Sequence, residues 1–174
     1  MNPRLVRCAA LLALAVPAAC ADPAAMARPA AAPAPDRIEM ELRSWGRPMS
    51  RWSIGADGKG SLTLPEPGVF DARELVTRRF DAGATGFAEI AALLGQAERR
   101  AGQQLPCTQR VTDFPYGEVR WHRATGPDAR LDFDRGCRDA ETQPVLAALQ
   151  RADQRVADWA RGAPVAERAP VPAQ

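Results

Sequence analysis

The chain predicts an α+β fold: an antiparallel β-sheet with two α-helices packed on one face, in the order ββββ-α-ββ-α. Three observations carry this. Apolar and polar residues alternate with period two in several short stretches, as in half-buried strands. Two longer stretches switch to helical spacing. The strand stretches are joined by short turn sequences, which make antiparallel neighbours, and two one-sided helices then bury their apolar stripes against one face of the sheet.

The first strand is read from Ile38, Met40 and Leu42, which alternate with Glu39, Glu41 and Arg43. Trp52 and Ile54 mark the second strand, and Leu62 and Leu64 the third. Between them Asp57-Gly58-Lys59-Gly60 is a hairpin signal, because glycine supplies the positive φ such turns need. Pro65, Pro67 and Gly68 end the third strand. The fourth runs from Glu74 to Phe80, where adjacent Leu75 and Val76 break the alternation and suggest a bulge. Phe87, Ile90, Ala91, Leu94 and Ala97 then fall at helical spacing, with Thr85 as candidate N-cap and Gly102 as candidate C-terminal glycine. A second helix is expected from about Glu141 to Arg161, with Val145, Leu149, Ala152, Val156 and Trp159 as its stripe. Pro144 is tolerated only in a first turn, which places the start.

Between the helices lies a further hairpin. Val119 and Trp121 alternate with Glu118, Arg120 and His122, and Leu131 and Phe133 with Asp132 and Asp134. Thr125-Gly126-Pro127-Asp128-Ala129 reads as its turn. Centring the hairpin there sets Trp121 opposite Phe133, Arg120 opposite Asp134 and His122 opposite Asp132. Asp113-Phe114-Pro115-Tyr116-Gly117 looks like another turn, and the pairing of residues 107–112 stays open.

The ends of the chain are of another kind. Arg4 and Arg7 precede an apolar run from Cys8 to Val16, and small residues follow to Ala21. Residues 1–21 therefore read as a secretory signal peptide, too short to span a bilayer, which takes about 20 apolar residues. Two processing routes fit. Ala19-Cys20-Ala21 offers small residues before a cut at Asp22; Pro17-Ala18-Ala19-Cys20 resembles a lipobox, lacking its usual Leu, in which Cys20 would be lipidated. Residues 22–36 are nearly all Ala and Pro and read as a disordered linker. The single α+β domain is expected over 37–162, and the Ala/Pro-rich residues 163–174 as a disordered tail. Cys107 and Cys137 remain as an even pair in an exported domain, and a disulfide between them is expected. With one histidine and no CxxC, the ligands for a zinc site are missing, so no metal and no cofactor are expected.

Between Asp36 and Gly162 there are 19 Arg plus Lys and 19 Asp plus Glu, so no basic excess is available for phosphate contacts and nucleic acid is not an expected partner. Arginine supplies 22 of the 23 basic residues, which fits coding bias in a GC-rich bacterial genome better than a dedicated anion site.

Catalysis would have to use His122, the one histidine, with Asp132 opposite to orient it; there is no GxSxG and no HExxH. On the solvated face of a hairpin such a contact is more commonly a surface ion pair. Asp132 and Asp134, about 7 Å apart on one strand face, are the nearest thing to a glycosidase dyad. Of four tryptophans, Trp52, Trp121 and Trp159 fall on apolar phases and belong in the core. Trp45 lies in Ser44-Trp45-Gly46-Arg47-Pro48, a turn, and either packs beneath the sheet or stands exposed beside Arg47 and Arg51 as a binding site. The composite expectation is an exported cell-envelope domain of non-enzymatic, binding or accessory type, inhibitors included. It would be periplasmic or held to the membrane by a lipid on Cys20, with no transmembrane helix in the mature chain. Its partner would be another envelope protein or a small ligand. The alternative is a small periplasmic hydrolase using His122 with Asp132.

Overall fold

The computed structural model describes residues 33–172. Seven strands run β1 (Arg37–Ser44), β2 (Arg47–Gly55), β3 (Lys59–Glu66), β4 (Glu74–Asp81), β5 (Tyr116–His122), β6 (Ala129–Asp134) and β7 (Val165–Pro170). Helix α1 (Gly83–Glu98) follows β4, and α2 (Gln143–Ala160) follows β6. The strands form one antiparallel sheet in the order β6-β5-β1-β2-β3-β4-β7. The fold is α+β in the expected order ββββ-α-ββ-α, closed by a seventh strand.

Alternation along each strand decides which side meets the helices. Ile38, Met40, Trp52, Ile54, Val119, Trp121 and Leu131 are buried and meet Ile90 and Leu94 of α1 and Val145, Leu149, Ala152 and Val156 of α2 in one core. Trp52 and Trp121 are 1 % and 0 % exposed, and Trp159 is partly buried against the same core. Among the described residues the opposite face carries no helix. It is polar: the hydroxyls of Ser53 and Ser61 meet at 3.3 Å and those of Thr63 and Thr77 at 2.8 Å, flanked by alternating Arg and Glu.

Several expectations need correction. The β5–β6 hairpin is displaced by four residues: Trp121 faces Ala129, Arg120 faces Arg130, Glu118 faces Asp132 and Gly117 faces Phe133. An even shift keeps every side chain on its face, so burial alternation cannot select between the two registers. The loop decides. Asp128 accepts the Arg123 amide at 3.0 Å and binds His122 Nδ1 at 2.8 Å, closing a connection longer than the five-residue turn expected.

Residues 163–174 are not a disordered tail throughout, because Val165–Pro170 pairs with β4 as β7. Arg168 fastens it, its guanidinium meeting Glu74 and, at 3.7 Å, Glu66. Residues 33–36 of the expected linker are also fixed: the Asp36 amide donates to His122 O at 2.8 Å, and Arg123 Nε to Pro33 O at 2.7 Å. The signal peptide, the rest of the linker and Cys20 lie outside the described residues.

Helix α1 starts before Thr85, at Gly83, whose amide donates to the Asp81 carboxylate at 3.0 Å. The β3–β4 ladder is regular, and the irregularity near Leu75 falls instead between Thr77 and Arg78, where β7 pairs. Cys107 and Cys137 are joined by a disulfide, with Cα atoms 5.0 Å apart. Among the described residues no helix is long and apolar enough to cross a membrane.

Candidate functional site

The β1–β2 connection is two residues long, Trp45 and Gly46, with φ of 51° and 77°. Positive φ at both positions is the geometry that suits a two-residue hairpin, and the first position ordinarily takes Asn, Asp or Gly. A bulky residue there is disfavoured because its Cβ crowds the backbone. Trp45 accepts that conformation and stands 66 % exposed, which resolves its two alternatives in favour of exposure. The adjoining Gly46 amide donates to the Tyr116 hydroxyl at 3.1 Å, tying the turn to the start of β5.

The segment 107–115 is brought to the same end of the sheet by the disulfide and by a short run of backbone pairing. Arg110 bridges Cys137, the Val111 amide donates to Gly136 O at 2.9 Å, and the Arg138 amide to Gln109 O at 2.7 Å. Gly136 permits this approach: a Cβ there would lie 2.2 Å from Val111 O. Asp139 secures the segment's start, accepting the Thr108 hydroxyl at 2.6 Å and the Gln109 amide at 3.0 Å. These two bonds hold the Asp139 carboxyl below its ordinary range, the Thr108 hydroxyl contributing most. Phe114 is steadied by the Arg138 guanidinium, 4.5 Å from its ring centroid.

Trp45, Val111, Phe114 and Tyr116 thereby surround a shallow depression of about 260 Å³, each more than 40 % exposed. Arg110 and Asp134 also line it and pair with each other at 3.2 Å. Asp113, with φ of 68°, lies in it too. Trp45 and Asp113 are the two non-glycine residues of positive φ among the described residues, and both border this depression. Unusual backbone held in place by surrounding structure clusters at functional sites.

The structure does not gather Trp45, Arg47 and Arg51 into one site. Arg51 projects from the outward face of β2, opposite Glu41 and Thr63, and lines a separate cleft; Arg47 lines neither. Val111, Phe114 and Tyr116 were not singled out from the sequence. Their signal is an aromatic pair, Phe114 and Tyr116, within a turn-like stretch, which gives no direction in space.

His122 and Asp132 are likewise apart. Asp132 faces Glu118, four residues along β5 from His122, or about 13 Å at strand rise. Asp132 is held by Arg130 at 2.6 Å and Asp134 by Arg110 and the Gly136 amide, so neither carboxylate is left free to serve the other. Both His122 nitrogens meet carboxylates, Nδ1 with Asp128 at 2.8 Å and Nε2 with Glu39 at 3.1 Å. The Glu39 contact is an ion-pair distance without hydrogen-bond alignment. Nε2 is shielded from solvent, and His122 lines neither depression. The Asp128 carboxyl is held below its ordinary range, chiefly by the Arg123 amide and then by His122. His122 thus joins β1, β5 and the β5–β6 loop. Among the described residues no group of three or more His, Cys, Asp or Glu side chains is placed to hold a metal ion.

Comparison with protein-family models, with curated proteins and with solved structures gave no significant match for this chain.

Proposed function

We propose that this chain is an exported cell-envelope domain that works by binding, and that it presents the Trp45 surface to another envelope protein. The observation that carries this is Trp45 itself, 66 % exposed on a backbone conformation that a tryptophan resists. A fold gains nothing in stability from such a residue there, so its value lies in what the indole contacts. Its surroundings have the make-up of an interface centre. Trp and Tyr with Phe and Val form an apolar middle, and Arg110 with Asp134 supplies charge at its border. A partner that removes this patch from water would draw most of its affinity from a few such aromatic anchors.

The N-terminal segment and the Cys107–Cys137 disulfide support an oxidising compartment, the periplasm in a bacterial cell. On this reading the domain is free there or anchored through a lipid on Cys20, and its action on a partner is of inhibitor or accessory type.

A photo-crosslinking residue in place of Val111, on the border of the depression with Trp45 left intact, tests the proposal in envelope fractions of producing cells. The expected result is a discrete adduct that is absent when the same probe replaces exposed Arg99 at the far end of α1. Equal labelling from both positions, or none from position 111, would remove the Trp45 surface as the partner site. Mass spectrometry of the native N-terminus tests export: a start at Cys20 or Asp22 is expected, with a diacylglycerol adduct if the chain is lipidated. An intact Met1 would overturn it.

A further inference from the structure

The sheet comes apart at one place. β2 and β3 pair from Ile54 opposite Gly60 to Arg51 opposite Thr63, and no further. Both strands nevertheless continue, β2 back to Arg47 and β3 on to Glu66, each still paired on its other side. Proline explains the separation. Past Ser50 and Leu64 the same register would set Met49 opposite Pro65 and Pro48 opposite Glu66, and Pro48 and Pro65 lack an N–H and cannot donate a rung there. A register shift between Leu42 and Arg43 also makes Met49 an extra residue in β2, and a bulge bends its strand.

The gap opens a cleft of about 610 Å³ on the outward face, within the range of small-molecule sites. Its walls differ in chemistry. Pro65, Leu75 and Pro172 supply apolar surface, while Arg43 and Arg51 supply guanidinium groups against the single carboxylate of Glu41. Arg43 pairs with Glu41 at 2.7 Å. Arg51 is in no salt bridge among the described residues, on a face where its neighbours are matched. Glu39 meets Arg37 and His122 there, and Glu118 meets Arg120 and Arg130.

We propose that this cleft binds a small amphipathic anion. The anionic group, a carboxylate or comparable oxyanion, is held by Arg51 with Arg43 as second donor; a guanidinium presents paired N–H groups that match such an oxyanion. The aliphatic or aromatic body lies against Pro65, Leu75 and Pro172. The site is separate from the Trp45 surface, which occupies a different depression on the other side of the hairpin.

The test is calorimetric titration of the purified protein with dodecanoate below its micelle concentration, with acetate and dodecanol as the two half-ligands. Dodecanoate should bind with a Kd below about 1 mM, and each half-ligand at least about tenfold more weakly. Arg51→Met, which keeps the stem and removes the charge, should weaken dodecanoate by about tenfold or more. Arg43→Met should weaken it less. Arg79→Met, on the same face but outside the cleft, should bind as wild type, and unfolding curves of all three variants establish that they are folded. The proposal fails if dodecanoate does not bind, if Arg51→Met binds as wild type, or if acetate binds as well as dodecanoate.

Discussion

Asp153 of α2 accepts the indole N–H of Trp52 at 3.2 Å, joining the helix layer to the middle of the sheet. The same oxygen accepts the Ser50 hydroxyl at 3.2 Å, and its other oxygen meets Arg135 at 3.3 Å. One half-buried carboxylate thus satisfies three donors from two other parts of the fold. Asp153→Ala should therefore destabilise by about 2 kcal/mol, since it strands donors that cannot all reach water. Urea unfolding checks this. A loss within error of zero would mean that water replaces the carboxylate.

Trp121 and His122 are adjacent and should behave in opposite ways. Trp121 is fully buried and its indole N–H has no acceptor among the described residues, so its contribution is packing. Trp121→Ala should cost about 3 to 5 kcal/mol through the cavity it leaves. His122→Ala should cost under about 1 kcal/mol, as for partly exposed polar side chains. Comparable losses at the two positions would contradict the face assignment of β5.

Reduction of the Cys107–Cys137 bond, which closes a separation of 30 residues, should lower stability by about 3 to 4 kcal/mol in the chain-entropy model. Its effect should also be local. Hydrogen exchange of the Val111 amide should rise more than that of Trp121, because the segment holds to the domain mainly through that end. Uniform acceleration would show that the bond serves the whole domain instead.

Asp139 and Asp128 are both held below the ordinary 3.8 of an aspartate. A depressed folded pKa contributes stability that is complete above the unfolded value and is lost as pH falls through the folded one. Segment 107–115 and the β5–β6 loop should thus stay ordered down to about pH 4 and loosen below it. Amide shifts of Gln109 and Arg123 should titrate with midpoints under 3.8. A midpoint at or above that value would contradict the ionised-acceptor geometry.

Trp45→Asn should raise stability by about 1 kcal/mol, because Asn tolerates positive φ better than an aromatic residue does. The same substitution should abolish the adduct expected from the crosslinking residue in place of Val111. Stabilisation with binding intact would place recognition elsewhere.

Much of the sheet was legible residue by residue. Ile38, Met40, Trp52, Ile54, Val119 and Trp121 face inward as their alternation requires, because period two is a local property of strand geometry. Both helices were legible for the same reason, at their own period. β7 was not. Val165–Pro170 carries no apolar alternation and is nearly all exposed; it forms because β4 offers an unpaired edge and because Arg168 finds Glu74 and Glu66. Nothing within the six residues Val-Ala-Glu-Arg-Ala-Pro announces an edge distant in sequence.

The candidate site divides along the same line. The sequence alone determined that Trp45 sits in a turn, that Cys107 and Cys137 pair, and which side of each strand is buried; these follow from local backbone preference, cysteine parity and alternation. Tertiary structure decided that Trp45 shares one depression with Phe114 and Tyr116, that His122 is clasped by Glu39 and Asp128 and lies far from Asp132, and that β2 and β3 part beyond Arg51 and Thr63. The physical reason is register. A shift by an even number of residues leaves every face unchanged while changing every neighbour. Which side chains share a site therefore depends on loop closure and strand order, and both are settled only when the whole sheet assembles.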